Sequence, residues 1–273
     1  MSGYRFNFER QSVDFPFYND NPKLSKWEWI LLLSNVLIFF FSLILPNASY
    51  VLFLIWISLP IVTILVITRF KLSLIFKKLT KKDILLIFKI TLLSLILGFF
   101  LLMVLSQFIN FPEDPDFLLE LSIPLQTIIF AILIFYEELF KFSVFILVLA
   151  LVYKLSNNRK IGVVCAAFIT MLSFGVLHQC NYVPISISLR LILGIIIQGF
   201  GSIFDIYAYV KTKNILISYF THALFDISLS FIDSVSCSLG IDFWSFFTLE
   251  KSFNFQTSKK KEFYLRFYFS TYK

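Results

Sequence analysis

Apolar runs of about twenty residues recur along this chain, and the basic residues sit in short loops between them. A helix of that length reaches roughly 30 Å, the thickness of the hydrocarbon core of a bilayer. The pattern predicts an all-α protein, a polytopic transmembrane helix bundle with seven or eight spans. Composition agrees. Hydrophobic residues make up 58% of the chain, charged residues only 15%, and mean hydropathy is +0.83. A soluble domain carries about 25% charged residues. An ordinary cytosolic enzyme, a disordered tail and a coiled coil are excluded, and no polar stretch is long enough to build a soluble domain.

The expected spans are 27–45, 50–68, 84–109, 121–153, 161–180, 184–210 and 214–232. A short eighth helix at 241–249 would return the basic tail, Lys259 to Lys261, to the side on which the chain starts. Residues 46–49 make a tight hairpin between the first two spans. Residues 69–83 carry Lys71, Lys77, Lys78, Lys81 and Lys82 among apolar residues, which suits a helix lying on an anionic lipid surface. The chain thus divides into a polar segment 1–26, three spans over 27–109, a core at 120–232 and a C-terminal segment 233–273. The first 26 residues are mixed in charge, unlike a cleavable signal peptide.

Net charge is +7 and the pI is about 9.2. The basic residues fall in loops, so they read as topology signals rather than as nucleic-acid contacts. Segment 69–83, loop 154–160, Lys211 and Lys213 lie on one side under strict alternation. The acidic loop 111–120 lies on the other. This predicts an integral, multi-pass membrane protein with a cytoplasmic N-terminus. Membrane lipid is its expected partner, and nucleic acid is not. The cysteines, Cys165, Cys180 and Cys237, are too scattered for a metal finger or a disulfide framework.

Ionisable residues inside a span are expensive and mark function. Spans four to seven hold several, in three local patterns. Glu137 and Glu138 are adjacent carboxyls in mid-span, with Lys141 one turn beyond Glu137 on a similar face. Phe174 and His178 share one helix face. His222 and Asp226 are one turn apart, so Asp226 can orient the ring. Each pattern alone could be a packing contact. Together they gather both histidines of the chain and a pair of carboxyls, a set suited to activating water either directly or through a metal.

The three patterns resemble the motifs of the CPBP group, the type II CAAX prenyl proteases and their prokaryotic relatives, also called the ABI family. Its pattern is EExxxR, then FxxxH, then HxxxN or HxxxD. The match covers about 120–232, and residues 214–218 also resemble the lead-in to the third motif. The arginine position holds Phe142, and the nearest base is Lys141, giving the EExxK of the related PrsW-type proteases. The resemblance implies an intramembrane endopeptidase acting on a membrane-associated peptide or a lipidated protein. Glu137 would be the general base, Glu138 its supporting partner, and His178 the group that holds the water. His222 and Asp226 would stabilise the oxyanion. Zinc held by His178, His222 and Glu137 is one option, and a metal-free glutamate protease is the other. A proton-coupled transporter, and an inactive family member acting as a binding or immunity factor, are the alternative readings.

Two expectations bear on geometry. Arg190 either supplies the missing positive charge or pairs with Asp205. His178 lies about 25 Å along its span, whereas His222 lies about 12 Å into its own. The two rings meet only if their helices are offset, tilted or end in a cavity at different depths.

Overall fold

The structure is a computed structural model and describes residues 5–44, 50–108, 123–182 and 185–238. Every regular element among them is helical. The long helices are α1 (Lys26–Ile44), α2 (Tyr50–Ile67), α3 (Lys81–Ser106), α4 (Ile123–Ser156), α5 (Arg159–Leu177), α6 (Ile187–Gly194), α7 (Phe200–Thr212) and α8 (Ile215–Ser238). Short 3-10 turns occur at Leu72–Leu74 and His178–Tyr182. Loops 46–49 and 111–120, the eighth helix expected at 241–249 and the basic tail lie outside the described residues. Among the described residues, four stretches are long and apolar enough to cross a membrane: Lys81–Leu105, Ile128–Ser156, Arg159–Leu177 and Ile187–Thr212. The outer face of α3 exposes Leu85, Phe88, Leu92, Leu93, Ile96 and Phe100. An apolar face of that extent suits lipid rather than water.

Local chemistry sets the helix ends. Asn157 takes a left-handed conformation at the end of α4, and the Asn158 side chain accepts from Ile161 N–H to cap α5. Two residues therefore join α4 to α5. Thr80 and Asp83 form a reciprocal capping box at the start of α3. Lys213, at φ 52°, turns α7 into α8.

The sixth expected span is not one regular helix. A π-helical turn at Ile195–Gly199 separates α6 from α7. Here two backbones nearly touch. A Cβ on Gly175 would lie 2.6 Å from Ile195 Cα, and one on Gly194 would collide with the Gly175 carbonyl oxygen. Glycine at both positions lets α6 cross the last turn of α5, just before His178. Gly194→Ala is expected to destabilise the protein by about 3 kcal/mol through this clash. Gly201→Ala, with nothing within 4 Å of its added Cβ, is expected to be neutral or to stabilise by about 0.5 kcal/mol. Thermal unfolding of both variants in detergent makes the comparison.

Residues 69–80 do not form the surface helix that their composition suggests. Their backbone bonds elsewhere. Asn214 accepts from Lys77 N–H at 3.0 Å and donates to Lys77 C=O at 3.0 Å. Ile215 N–H donates to the Ile75 carbonyl at 3.1 Å. The segment is pinned to the α7–α8 turn with Ile75 buried, while Lys71, Lys78, Lys81 and Lys82 stay exposed.

The N-terminal segment is likewise more than a polar tail. Residues 5–25 form a strap that buries Phe15, Phe17, Tyr18 and Leu24 against the bundle. Glu9 takes a forked pair of bonds from Arg159 of α5, at 2.9 and 2.5 Å. Lys213 also contacts it at 2.6 Å. The Phe15 ring packs against Phe145 and Tyr209 and under both of these cations.

Candidate active site

The three sequence patterns meet. Glu137 Oε1 lies 3.5 Å from His178 Nε2, and Glu137 Oε2 lies 3.8 Å from His222 Nε2. Asp226 Oδ2 is 3.6 Å from the same His222 nitrogen. All five sequence-predicted residues therefore belong to one cluster, since Glu138 Oε1 is 2.9 Å from His222 Nδ1.

The depth mismatch is resolved by offset or tilt of the hairpins. Lys141 stands fifteen residues before the end of α4, and Asp205 seven residues before the end of α7. Those distances, roughly 22 and 10 Å, nevertheless end at one ion pair, Lys141 Nζ to Asp205 Oδ2 at 2.9 Å. Glu9 spans the other end, between α5 and the α7–α8 turn. His178 helps from its side, because it ends α5 and opens the 3-10 turn.

The cluster has two tiers. Side chains of Glu137, His178 and Asp226 keep 16, 11 and 19% of their surface exposed. Glu138, Lys141 and Asp205 keep 2, 4 and 7%. The partly exposed groups form an accessible tier, and the buried tier supports them. In that lower tier Lys141 Nζ is ion-paired with Glu138 and Asp205 and lies 3.3 Å from His222 Nδ1. Ser218 Oγ donates to Glu138 and sits 3.0 Å from the Asp205 carbonyl.

Hydrogen bonds fix the rings. His178 Nδ1 lies 2.9 Å from the Phe174 carbonyl oxygen. A carbonyl only accepts, so Nδ1 carries the proton and Nε2 presents its lone pair towards Glu137 when the ring is neutral. His222 Nδ1 donates to Glu138, which turns Nε2 towards Glu137 and Asp226. Phe174 is a shared wall: its ring centroid is 4.4 Å from the His178 ring, 5.9 Å from the His222 ring and 4.6 Å from Lys141 Nζ.

No family model, curated protein or solved structure matches this chain.

Lys141 pairs with Glu138 on its own helix and with Asp205 of α7. Asp205 is thereby taken from Arg190, and Arg190 Nε is buried without a hydrogen-bond partner. Phe142, at the motif's arginine position, is buried against the Tyr209 ring, so it faces the core rather than the carboxylates. Asp205 is the site residue that sequence reasoning missed. The available signal was a buried-span acid level with no local base.

Metal fit differs between the tiers. Glu138, Asp205 and His222 offer donor atoms within 4.8 Å of one another. The Lys141 ammonium already sits among those donors, so a cation does not fit there. In the upper tier, two imidazoles and the Glu137 carboxylate are donors that zinc takes. Their separations of 3.5 and 3.8 Å run to different oxygens of Glu137, and among the described residues these three donors do not all lie within 4.8 Å of one another, so zinc would require them to draw closer. Next to Lys141 lies a cavity of about 10 Å³, lined by Thr170, Tyr209 and Ser218 among others. It has room for a single water.

Proposed function

We propose that this chain is an intramembrane endopeptidase, similar to the CPBP proteases, that hydrolyses a peptide bond in a membrane-associated or lipidated substrate. The observation that carries this is the meeting of one partly exposed carboxylate, Glu137, with Nε2 of both histidines. Water held between Glu137 and His178 loses a proton to Glu137 as its oxygen bonds to the scissile carbonyl carbon. The oxyanion so formed is stabilised by the Nε2–H of His222 in its imidazolium form, whose Nδ1–H stays on Glu138, with Asp226 steadying the ring. Glu137 then passes its proton to the leaving nitrogen as the C–N bond breaks. If zinc is resident, His178, His222 and Glu137 hold it, and it supplies polarisation of the same water.

The proposed topology has seven crossings and a cytoplasmic N-terminus. The strap, Arg159, Lys211 and Lys213 share one face, as the positive-inside rule expects. The test compares the N-termini of membrane proteins from cells expressing the wild-type chain or Glu137→Gln. New N-termini that depend on Glu137 support the reading and identify the substrate. Identical sets of N-termini from the two strains would sink it.

A proton-coupled carrier is the second reading. The buried Glu138–Lys141–Asp205 ion-pair network favours it, because ionisable groups inside a bundle also serve as proton relays. Substrate-dependent uptake into proteoliposomes would move it to first place.

A further inference from the structure

Asp205 projects from α7, a helix that carries none of the three motifs. We infer that Asp205 is a positioning residue of this site. With Glu138 it clamps the Lys141 ammonium where a metal ion would otherwise sit, and so fixes which nitrogen of His222 faces Glu137.

The argument begins with burial. An ammonium at 4% side-chain exposure needs compensation, and one carboxylate is a poor match for its three donors. Lys141 has two: Glu138 from its own helix and Asp205 from α7. Both carboxylates also lie within ion-pair distance of His222 Nδ1, at 2.9 Å for Glu138 and 3.9 Å for Asp205. Lys141 Nζ, 3.3 Å from that nitrogen, offers it only a donor. Without Asp205 the ammonium is free to swing wholly onto Glu138 and to compete with the imidazole for its oxygens. With Asp205 in place, Lys141 and His222 Nδ1 share Glu138 Oε1 while Oε2 takes Ser218, and Asp205 keeps the ammonium from moving further onto that shared oxygen. Ser218 also touches the Asp205 carbonyl at 3.0 Å, so the backbone of α7 is tied to the same carboxylate. Asp205 acts through Lys141 and Glu138 and meets no reacting atom.

The effect on rate rests on the hydrolase reading, whereas the effect on the ring does not. The experiment therefore reads both. The chain has two histidines, so the full-length protein labelled with 15N-histidine gives two ring signatures, assigned with His178→Gln. Wild type is expected to show His222 protonated at Nδ1. Asp205→Asn is expected to convert this into a mixture of tautomers. On the substrate found by N-terminal comparison, it is also expected to lower kcat about 10- to 100-fold with KM little changed. Asp205→Glu, which keeps the charge, should restore most of both. An unchanged His222 signature in Asp205→Asn overturns the inference. A changed signature in a protein that never cleaves anything leaves it standing and removes the hydrolase. If Asp205→Asn yields no folded protein, Lys141→Met/Asp205→Leu carries the test, because it removes the ammonium and its second anion together. That pair is expected to fold and to keep His222 protonated at Nδ1, because no ammonium is left to compete for Glu138, and an altered signature there overturns the inference as well.

Discussion

Glu137→Gln is expected to slow peptide-bond cleavage about 10³-fold while the melting temperature in detergent stays within a few degrees of wild type. The two halves of this expectation have one cause. Glu137 belongs to the accessible tier, with 16% of its side chain exposed, so an isosteric amide strands no buried charge. What it loses is the ability to take a proton from water. Glu138→Gln should behave differently. It leaves Lys141 with Asp205 as its one carboxylate and reduces the acceptor of His222 Nδ1 to an uncharged amide oxygen, so its loss of activity should come with lost stability. His178→Ala is expected to match Glu137→Gln in rate. The double variant should be little worse than either single one, because groups that act on one water fail together. Initial rates and melting curves on the same preparations decide this. Cleavage by Glu137→Gln at the wild-type rate would remove the general base from the proposal.

Much of the cluster was legible because a bilayer penalises ionisable groups so strongly. Glu137, Glu138, His178, His222 and Asp226 stand out in their spans for that reason, and the structure gathers them at 2.9 to 3.8 Å. What sequence spacing could not supply is the choice of partner. Glu137 and Glu138 are both within one helical turn of Lys141, and only the position of α7 decides between them. Asp205 shares its span with Arg190 in sequence, yet it faces α4 in space. The strap was hidden for a different reason. It has no periodicity, and its hold comes from single residues such as Glu9 and Phe15 set against Arg159 and Lys213, far along the sequence. Segment 69–80 reads as amphipathic, but Asn214 takes up the backbone groups a helix would have used. Local propensity yields there to a long-range clamp.

Glu9→Gln is expected to lower stability by about 3 kcal/mol at neutral pH, the largest effect of any single change in the strap. Burial alone would raise the Glu9 carboxyl above its ordinary value of 4.5. Bonds from Arg159 and Lys213 outweigh burial and hold it at about 2. A carboxyl whose value is lower when folded stabilises the protein above pH 4.5 and loses that contribution as pH falls from 4.5 towards 2. Wild type should therefore melt at progressively lower temperature across that window. Glu9→Gln should start lower at pH 7 and lack this part of the acid sensitivity. The substitution leaves Arg159 with Asp14, at 2.9 Å, as its remaining ion-pair partner. It leaves Lys213, whose side chain is fully buried, without a carboxylate. Asp14→Asn is the control. Its side chain is 27% exposed, and the change is expected to cost less than about 1 kcal/mol. The consequence reaches the site because Arg159 opens the helix that ends at His178, and Lys213 makes the turn into the helix of His222. If Glu9→Gln melts like wild type at pH 7, the strap is a passenger. If it melts low and its cleavage rate falls as well, the strap sets the relative depth of the two histidines.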